Sequence, residues 1–201
     1  MKKQIGFLFF VPFFFIGCSG ASIKAYVSPT FMPGMLKSVA ILPMQNVKML
    51  PDETRQINNE IIQAFTNKIP SVTIIRPEEA VELLNKASLS DKYAEFLKNY
   101  SVSGIPNVNT LKEIGIALKV DAIVQGEVYE IIQSDGIPYH AAKTSLTVRY
   151  VMLSTIDGAV LWDAISSANK SLSALDVAPP LIEVIKLACE KVLASLPNMV
   201  E

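Results

Sequence analysis

The order in which the hydrophobic period changes along the chain does most to limit its fold. Lys37 to Met44 (KSVAILPM) is apolar and β-branched, and Pro43 stops it, so it reads as a buried strand. Pro51 and Asp52 then open a segment in which Ile57, Ile61, Ala64 and Phe65 recur at helical spacing as far as Ile69. Asp52 and Glu53 stand where a helix start favours acid, and Pro70 ends the run. Val72 to Ile75 is a second strand. Pro77, with Glu78 and Glu79, begins a second helix whose apolar residues are Ala80, Val81, Leu83 and Leu84. A third, short helix starts at Ser90 or Asp91 and carries Tyr93, Phe96, Leu97 and Tyr100. A fourth runs from Asn109 or Thr110 to Leu118, with Leu111, Ile114 and Leu118 on one face.

The period then shortens to two. Asp121 to Ile132 is a long strand. Thr144 to Ser154 is another, with Leu146, Val148, Tyr150 and Met152 on one face and Thr147, Arg149 and Val151 on the other. Asp157-Gly158 marks a hairpin turn, because that pair tolerates positive φ. Ala159 to Ala168 is the returning strand, and a helix from about Pro179 to Leu196 closes the chain. The order is β-α-β-α-α-α-β-β-β-α. Early alternation implies parallel strands with crossover helices, and the late run implies antiparallel strands added to the same sheet. The predicted class is α/β: a single three-layer-like domain whose mixed sheet is parallel in its first half, antiparallel in its C-terminal hairpin strands, and flanked by helices.

Ahead of this pattern lies an export leader. Lys2 and Lys3 precede an apolar run from Ile5 to Ile16, interrupted only by Gly6 and Pro12. The run is too short for the roughly 20 apolar residues that a membrane-spanning helix needs. Gly17 supplies the small residue at a cleavage point, and Cys18 follows it. Phe15-Ile16-Gly17-Cys18 resembles the lipobox of bacterial lipoproteins, with Phe15 where that pattern usually has Leu. The resemblance implies cleavage between Gly17 and Cys18 and acylation of Cys18. Ser19, in place of the Asp that usually marks inner-membrane retention, points to the outer membrane, facing the periplasm. Expected boundaries are a signal peptide over 1–17, a lipidated tether over 18–36 and a periplasmic α/β domain over 37–201.

Composition narrows the function classes. Loss of Lys2 and Lys3 takes the eighteen basic residues to sixteen, against nineteen acidic ones, a net charge of about −3. No basic face suited to nucleic acid is visible. Membrane contact is expected through the lipid rather than through charge. With Cys18 acylated, the only other cysteine, Cys189, is a free thiol and reads as a small core residue.

Chemistry-bearing constellations are weak. The single histidine, His140, falls in a Gly-Pro stretch and reads as a solvated loop residue without a nucleophile to serve. The usual zinc ligand sets cannot be assembled from one histidine and one free cysteine. Glu127 and Glu130 lie three apart on a strand, which should point them to opposite faces. Nothing points to an enzyme, a cofactor or a metal. Tyr93, Phe96 and Tyr100 have two readings: a partner-binding surface, since aromatics enrich interface cores, or a cover over the open side of the sheet. Trp162, on the strand after the tight turn, reads as core.

Three stretches together resemble a known group: Ser38-Val39-Ala40-Ile41-Leu42-Pro43, Leu118 to Val128 (LKVDAIVQGEV), and Asp157-Gly158-Ala159-Val160-Leu161-Trp162. They are similar to envelope lipoproteins that include the curli-secretion lipoprotein and the outer-membrane activators of penicillin-binding proteins, with the TolB amino-terminal domain sharing the fold. The resemblance implies a lipid-anchored periplasmic accessory that works by protein–protein interaction in envelope assembly, secretion or cell-wall synthesis. It leaves the protein partner unnamed and self-association open. The alternative is a small ligand-binding or hydrolytic lipoprotein with a pocket at the strand ends.

Overall fold

The computed structural model describes residues 19–32, 34–45 and 49–197. The expected signal peptide, with Gly17 and Cys18, lies outside the described residues. Six strands form one mixed sheet: β1 (Ser19–Val27), β2 (Ser38–Ile41), β3 (Thr73–Ile75), β4 (Ala122–Ser134), β5 (Ala141–Ser154) and β6 (Val160–Ala174). Five helices, α1 (Pro51–Lys68), α2 (Pro77–Lys86), α3 (Ser90–Ser103), α4 (Val108–Leu118) and α5 (Leu181–Ala194), cover it. The strand order is β1-β6-β5-β4-β2-β3. β2 lies parallel to both β3 and β4, whereas β4, β5, β6 and β1 form a run of antiparallel pairs. The predicted α/β class with its mixed sheet is what the chain forms.

Local chemistry sets the helix ends. Pro51 occupies the first turn of α1, and Glu53 accepts the Leu50 backbone N–H at 2.8 Å, occupying a donor at the helix start that has no partner within the helix. Asn107 caps α4 by accepting the Thr110 N–H at 3.1 Å, so α4 starts just ahead of the expected Asn109 or Thr110. Gly104 ends α3 at φ 65°, the left-handed conformation that a helix terminus commonly requires.

Strand alternation divides the core in two. Val39, Ile41, Val124, Leu146, Val148, Tyr150 and Met152 turn to one face, where α1 and α5 cover them. Ala40, Leu42, Ile123, Val151 and Leu153 turn to the other, under α2, α3 and α4. Trp162 is fully buried on the first face. Its ring meets Phe65 edge-on at 6.0 Å, and its Nε1 donates to Ser195 Oγ at 3.0 Å, so both the ring and its one polar atom are satisfied. Cys189 is a buried free thiol, and burial pushes it up from its usual value, which keeps it neutral.

Two expectations are corrected. The stretch expected to be a tether contains β1. Each residue from Ser19 to Val27 is in register with β6, from Lys170 to Trp162. Ala21, Ile23 and Val27 pack on the first core while Ser22, Lys24 and Tyr26 face away, a period-two pattern thinned by small residues. Phe31 and Leu36 are also buried, so the segment after β1 is held to the domain. The second correction concerns the glutamates. A β-bulge between Val128 and Glu130 inserts one residue, so Glu127 opposes Arg149 and Glu130 opposes Thr147. Those partners are two apart on β5, which places both glutamates on the same side of the sheet rather than on opposite sides.

Candidate functional site

The helices on the second face stop short of its far half. Where α3 ends, a cleft of about 140 Å³ opens over β4 and β5, lined by Gln45, Tyr100, Gln125, Glu127, Tyr129 and Arg149 among others. It lies past the C-terminal end of β2, the end of parallel strands where α/β sheets commonly place ligands. Gln45 is held there by backbone hydrogen bonds to β4, its N–H to Gly126 O at 2.9 Å and its carbonyl from the Val128 N–H at 3.0 Å.

Arg149 and Gln125, two of the cleft's polar groups, are already engaged with neighbours. Arg149 grips Asp163 with two bonds, Nε to Oδ1 at 2.9 Å and Nη2 to Oδ2 at 2.7 Å, and Nη1 donates to the Tyr129 hydroxyl at 3.3 Å. The bonds to Asp163 raise the guanidinium's affinity for its proton, so Arg149 stays charged. Gln125 is buried and satisfied: its amide donates to Pro43 O at 3.0 Å and to Gly126 O at 2.9 Å, and its Oε1 accepts from the Tyr93 hydroxyl at 2.6 Å. Burial pushes the Tyr93 and Tyr100 phenols up from their usual value, so neither supplies a base. With Asp163 neutralising Arg149 and Glu127 alongside, the cleft does not suit an anion. Its chemistry is that of hydrogen bonding to a neutral polar group.

Tyr93, Phe96 and Tyr100 lie on the inner side of α3. Phe96 and Tyr100 are buried, their rings stacked at 5.8 Å, and Tyr93 is tied to Gln125. As a partner surface this trio is misplaced, because its rings cover the sheet. The apolar residues that face outward nearby are Val102, Ile105 and Val108 at the α3–α4 corner. His140 is exposed in the β4–β5 turn, far along the strands from the cleft. Among the described residues, no group of three His, Cys, Asp or Glu side chains could hold a metal.

Sequence reasoning misses Asp163 and Gln45 altogether, and it reads Arg149 only as one residue of a strand face. The partner of Arg149 sits on β6 diagonally across from it, a relation that only the register reveals.

Two other surfaces stand apart from the cleft. The outer edge of β1 is unpaired among the described residues, and Tyr26 stands exposed on it. At the end of the sheet where β1 begins, the β4–β5 and β6–α5 loops carry exposed Ile137, Tyr139, Leu175 and Val177.

No protein family matches the chain, and no curated protein matches it. Solved structures do. A PelC dodecamer from Paraburkholderia phytofirmans is similar over 90% of this chain and 100% of that one, at 14% identity and a TM-score of 0.57. A dodecamer of a singly substituted PelC from the same organism covers 86% and 96%, at 14% identity and a TM-score of 0.54. The lipoprotein GNA1162 from Neisseria meningitidis is similar over 78% of this chain and 97% of that one, at 13% identity and a TM-score of 0.46. At these identities the likeness to PelC is one of fold: this chain has the PelC fold over nearly its whole described length.

Proposed function

We propose that the protein is an envelope lipoprotein, cut before Cys18, held by lipid on that cysteine to the periplasmic side of the outer membrane, and acting as a non-enzymatic accessory through protein contacts in envelope assembly, secretion or cell-wall synthesis. The observation that carries the protein-contact reading is the β1 edge. Along the nine-residue strand that starts immediately after Cys18, the backbone groups that point away from β6 are unpaired among the described residues, and such an edge is a ready template for another chain. Self-association is the first partner to test, since the PelC structures are dodecamers.

The cleft beneath α3 favours the second reading, a ligand-binding lipoprotein, because several polar groups converge there. Two facts weigh against it. Its volume of about 140 Å³ is below the roughly 300–1,000 Å³ of ordinary ligand sites. Its one cation, Arg149, is also already held by two bonds to Asp163, so a ligand seeking that guanidinium would compete with an existing ion pair.

Two measurements test the proposal. Metabolic labelling with a fatty-acid analogue should mark the wild type and leave Cys18→Ala unmarked; equal labelling of both refutes the anchor. A photo-crosslinking residue placed at Tyr26 should give a discrete adduct in native membranes, either with another copy or with one envelope protein. Absence of any adduct there, with the protein at normal abundance, removes the edge as the contact.

A further inference from the structure

We propose that the paired β4–β5 and β6–α5 loops dip into the lipid leaflet that holds Cys18, giving the domain a second, non-covalent membrane contact. The proposal builds on the reading of Cys18 as the anchor. It commits to the bilayer as occupant because of where the described chain begins. Ser19 is in register with Lys170, near the end of the sheet where β6 runs on to Ala174 and Ala141 pairs with it. The residue that would carry the lipid therefore precedes Ser19 on the same side of the domain as the loops.

These loops present apolar groups to solvent. Tyr139 is 100% exposed, Val177 76%, Leu175 73% and Ile137 56%. Two of the four are held outward by backbone of unusual kind. Tyr139 has φ 73° and Leu175 φ 72°, the left-handed region that glycine enters freely and bulky residues avoid. Pro138 and Tyr139 occupy the two central positions of the turn between Ile137 and His140, where a positive φ after proline normally selects glycine. Backbone strain that leaves both side chains in solvent motivates a functional reading of this surface.

The loops are also braced against each other. Gly136 N–H donates to Asp176 O at 2.8 Å, and Ala178 N–H to Asp135 Oδ1 at 2.8 Å. A Cβ on Gly136 would lie 2.6 Å from the Leu175 backbone nitrogen, so the close approach requires glycine. The two carboxylates at the tip cap backbone N–H groups, Asp135 that of Ala178 and Asp176 that of Ser173, and Lys143 stands at the base. No single sign of charge dominates. The contact is therefore apolar, with Tyr139 suited to the headgroup boundary where an amphipathic ring is at home.

Geometry adds an orientation. From Lys170 to Leu175 is five residues, about 17 Å along an extended strand. Interfacial groups penetrate only ~5–10 Å. Both the Ser19 end and the loops reach the leaflet only if the sheet leans rather than stands upright.

The test uses the full mature protein in phosphatidylcholine vesicles, with and without brominated acyl chains. Trp162, the one native tryptophan, is buried and reports the background. In Tyr139→Trp, brominated lipid should quench the added fluorescence and the emission should be blue-shifted, while wild type changes little. High salt should leave the quenching intact. Adding Ile137→Ser, Leu175→Ser and Val177→Ser to that variant should abolish the quenching. Mass measurement of Cys18 separates the two claims. An acylated, vesicle-bound protein in which the introduced indole's emission stays red and unquenched overturns the loop contact and leaves the anchor standing. Quenching without acylation does the reverse.

Discussion

The turn joining β5 to β6 reaches positive φ at Gly158, at 75°; the turn joining β4 to β5 reaches it at Tyr139, at 73°. The surroundings explain the different choices. The first turn is pressed against α4. Thr155 Oγ1 donates to Val120 O at 2.7 Å and to Asp121 O at 2.9 Å, and a Cβ on Gly158 would come within 2.9 Å of Val108 Cγ2. The matching helix residue, Gly115, has no room either, since its Cβ would sit 2.4 Å from that of Thr155. The second turn is braced by its neighbouring loop and displays a whole aromatic ring to solvent. One turn is part of the core, and glycine is required by space as well as by φ. The other carries its positive φ on a residue whose side chain is fully exposed.

That contrast orders the expected effects. The largest belongs to the strand that the packed turn positions. Trp162→Ala removes a fully buried ring and should cost about 3–5 kcal/mol. This is comparable to much of a domain's total stability of roughly 5–15 kcal/mol. Little folded protein should be recovered, and a wild-type melting curve would show that the ring is not core. Gly158→Val is next, at about 1–3 kcal/mol, from a β-branched residue forced into left-handed backbone. Clash with Val108 adds to it. Thermal denaturation measures this, and an unchanged midpoint would mean the turn is not pinned to α4.

Tyr139→Gly should move the opposite way. It relieves left-handed strain of ~1–2 kcal/mol and returns part of that as backbone entropy of the unfolded chain, leaving a gain of up to about 1 kcal/mol. The melting midpoint should rise by roughly 2–4 °C at most. A clear loss of stability would place the ring in a packing role and erase the contrast between the turns.

The smallest effect concerns Asp157. A hydrogen bond with the Ser154 side chain, then the Ala159 N–H at 3.1 Å, hold its carboxyl below the usual value. A carboxyl lowered in the folded state adds stability that is complete above the unfolded value and disappears as pH falls through the folded one. Asp157→Ala should therefore be slightly less stable than wild type at neutral pH, and the difference should narrow as pH falls below about 4. A difference that stays constant down to acid denaturation would assign the effect to backbone rather than to charge.

The succession of periods from Lys37 onward is readable because each long element carries its own signal. Apolar residues at helical spacing from Ile57 to Phe65 form α1, alternation in β5 separates Leu146, Val148, Tyr150 and Met152 from Thr147 and Arg149, and Asp157-Gly158 marks the turn. β1 escapes such a reading because it is an edge strand. With one side of its backbone and most of one face in solvent, Ser, Gly, Ala and Lys suffice, and the same residues compose a linker. The direction of α3 escapes too, since Tyr93, Phe96 and Tyr100 at helical spacing fit a buried stripe and a contact stripe equally well until the sheet is in place.

What the chain determined alone is therefore the type and order of its main elements, the mixed sheet, and the burial of Trp162 and Cys189, because local period and side-chain hydrophobicity act without knowledge of distant partners. Tertiary structure decided the rest. It paired Ser19–Val27 with β6, turned Glu130 to the side of Glu127 by one bulged residue, joined Arg149 to Asp163 across two strands, and gathered Ile137, Tyr139, Leu175 and Val177 from separate loops at the end where the described chain begins. Each of these depends on register between segments far apart in sequence, and register is fixed only when the sheet closes over its core.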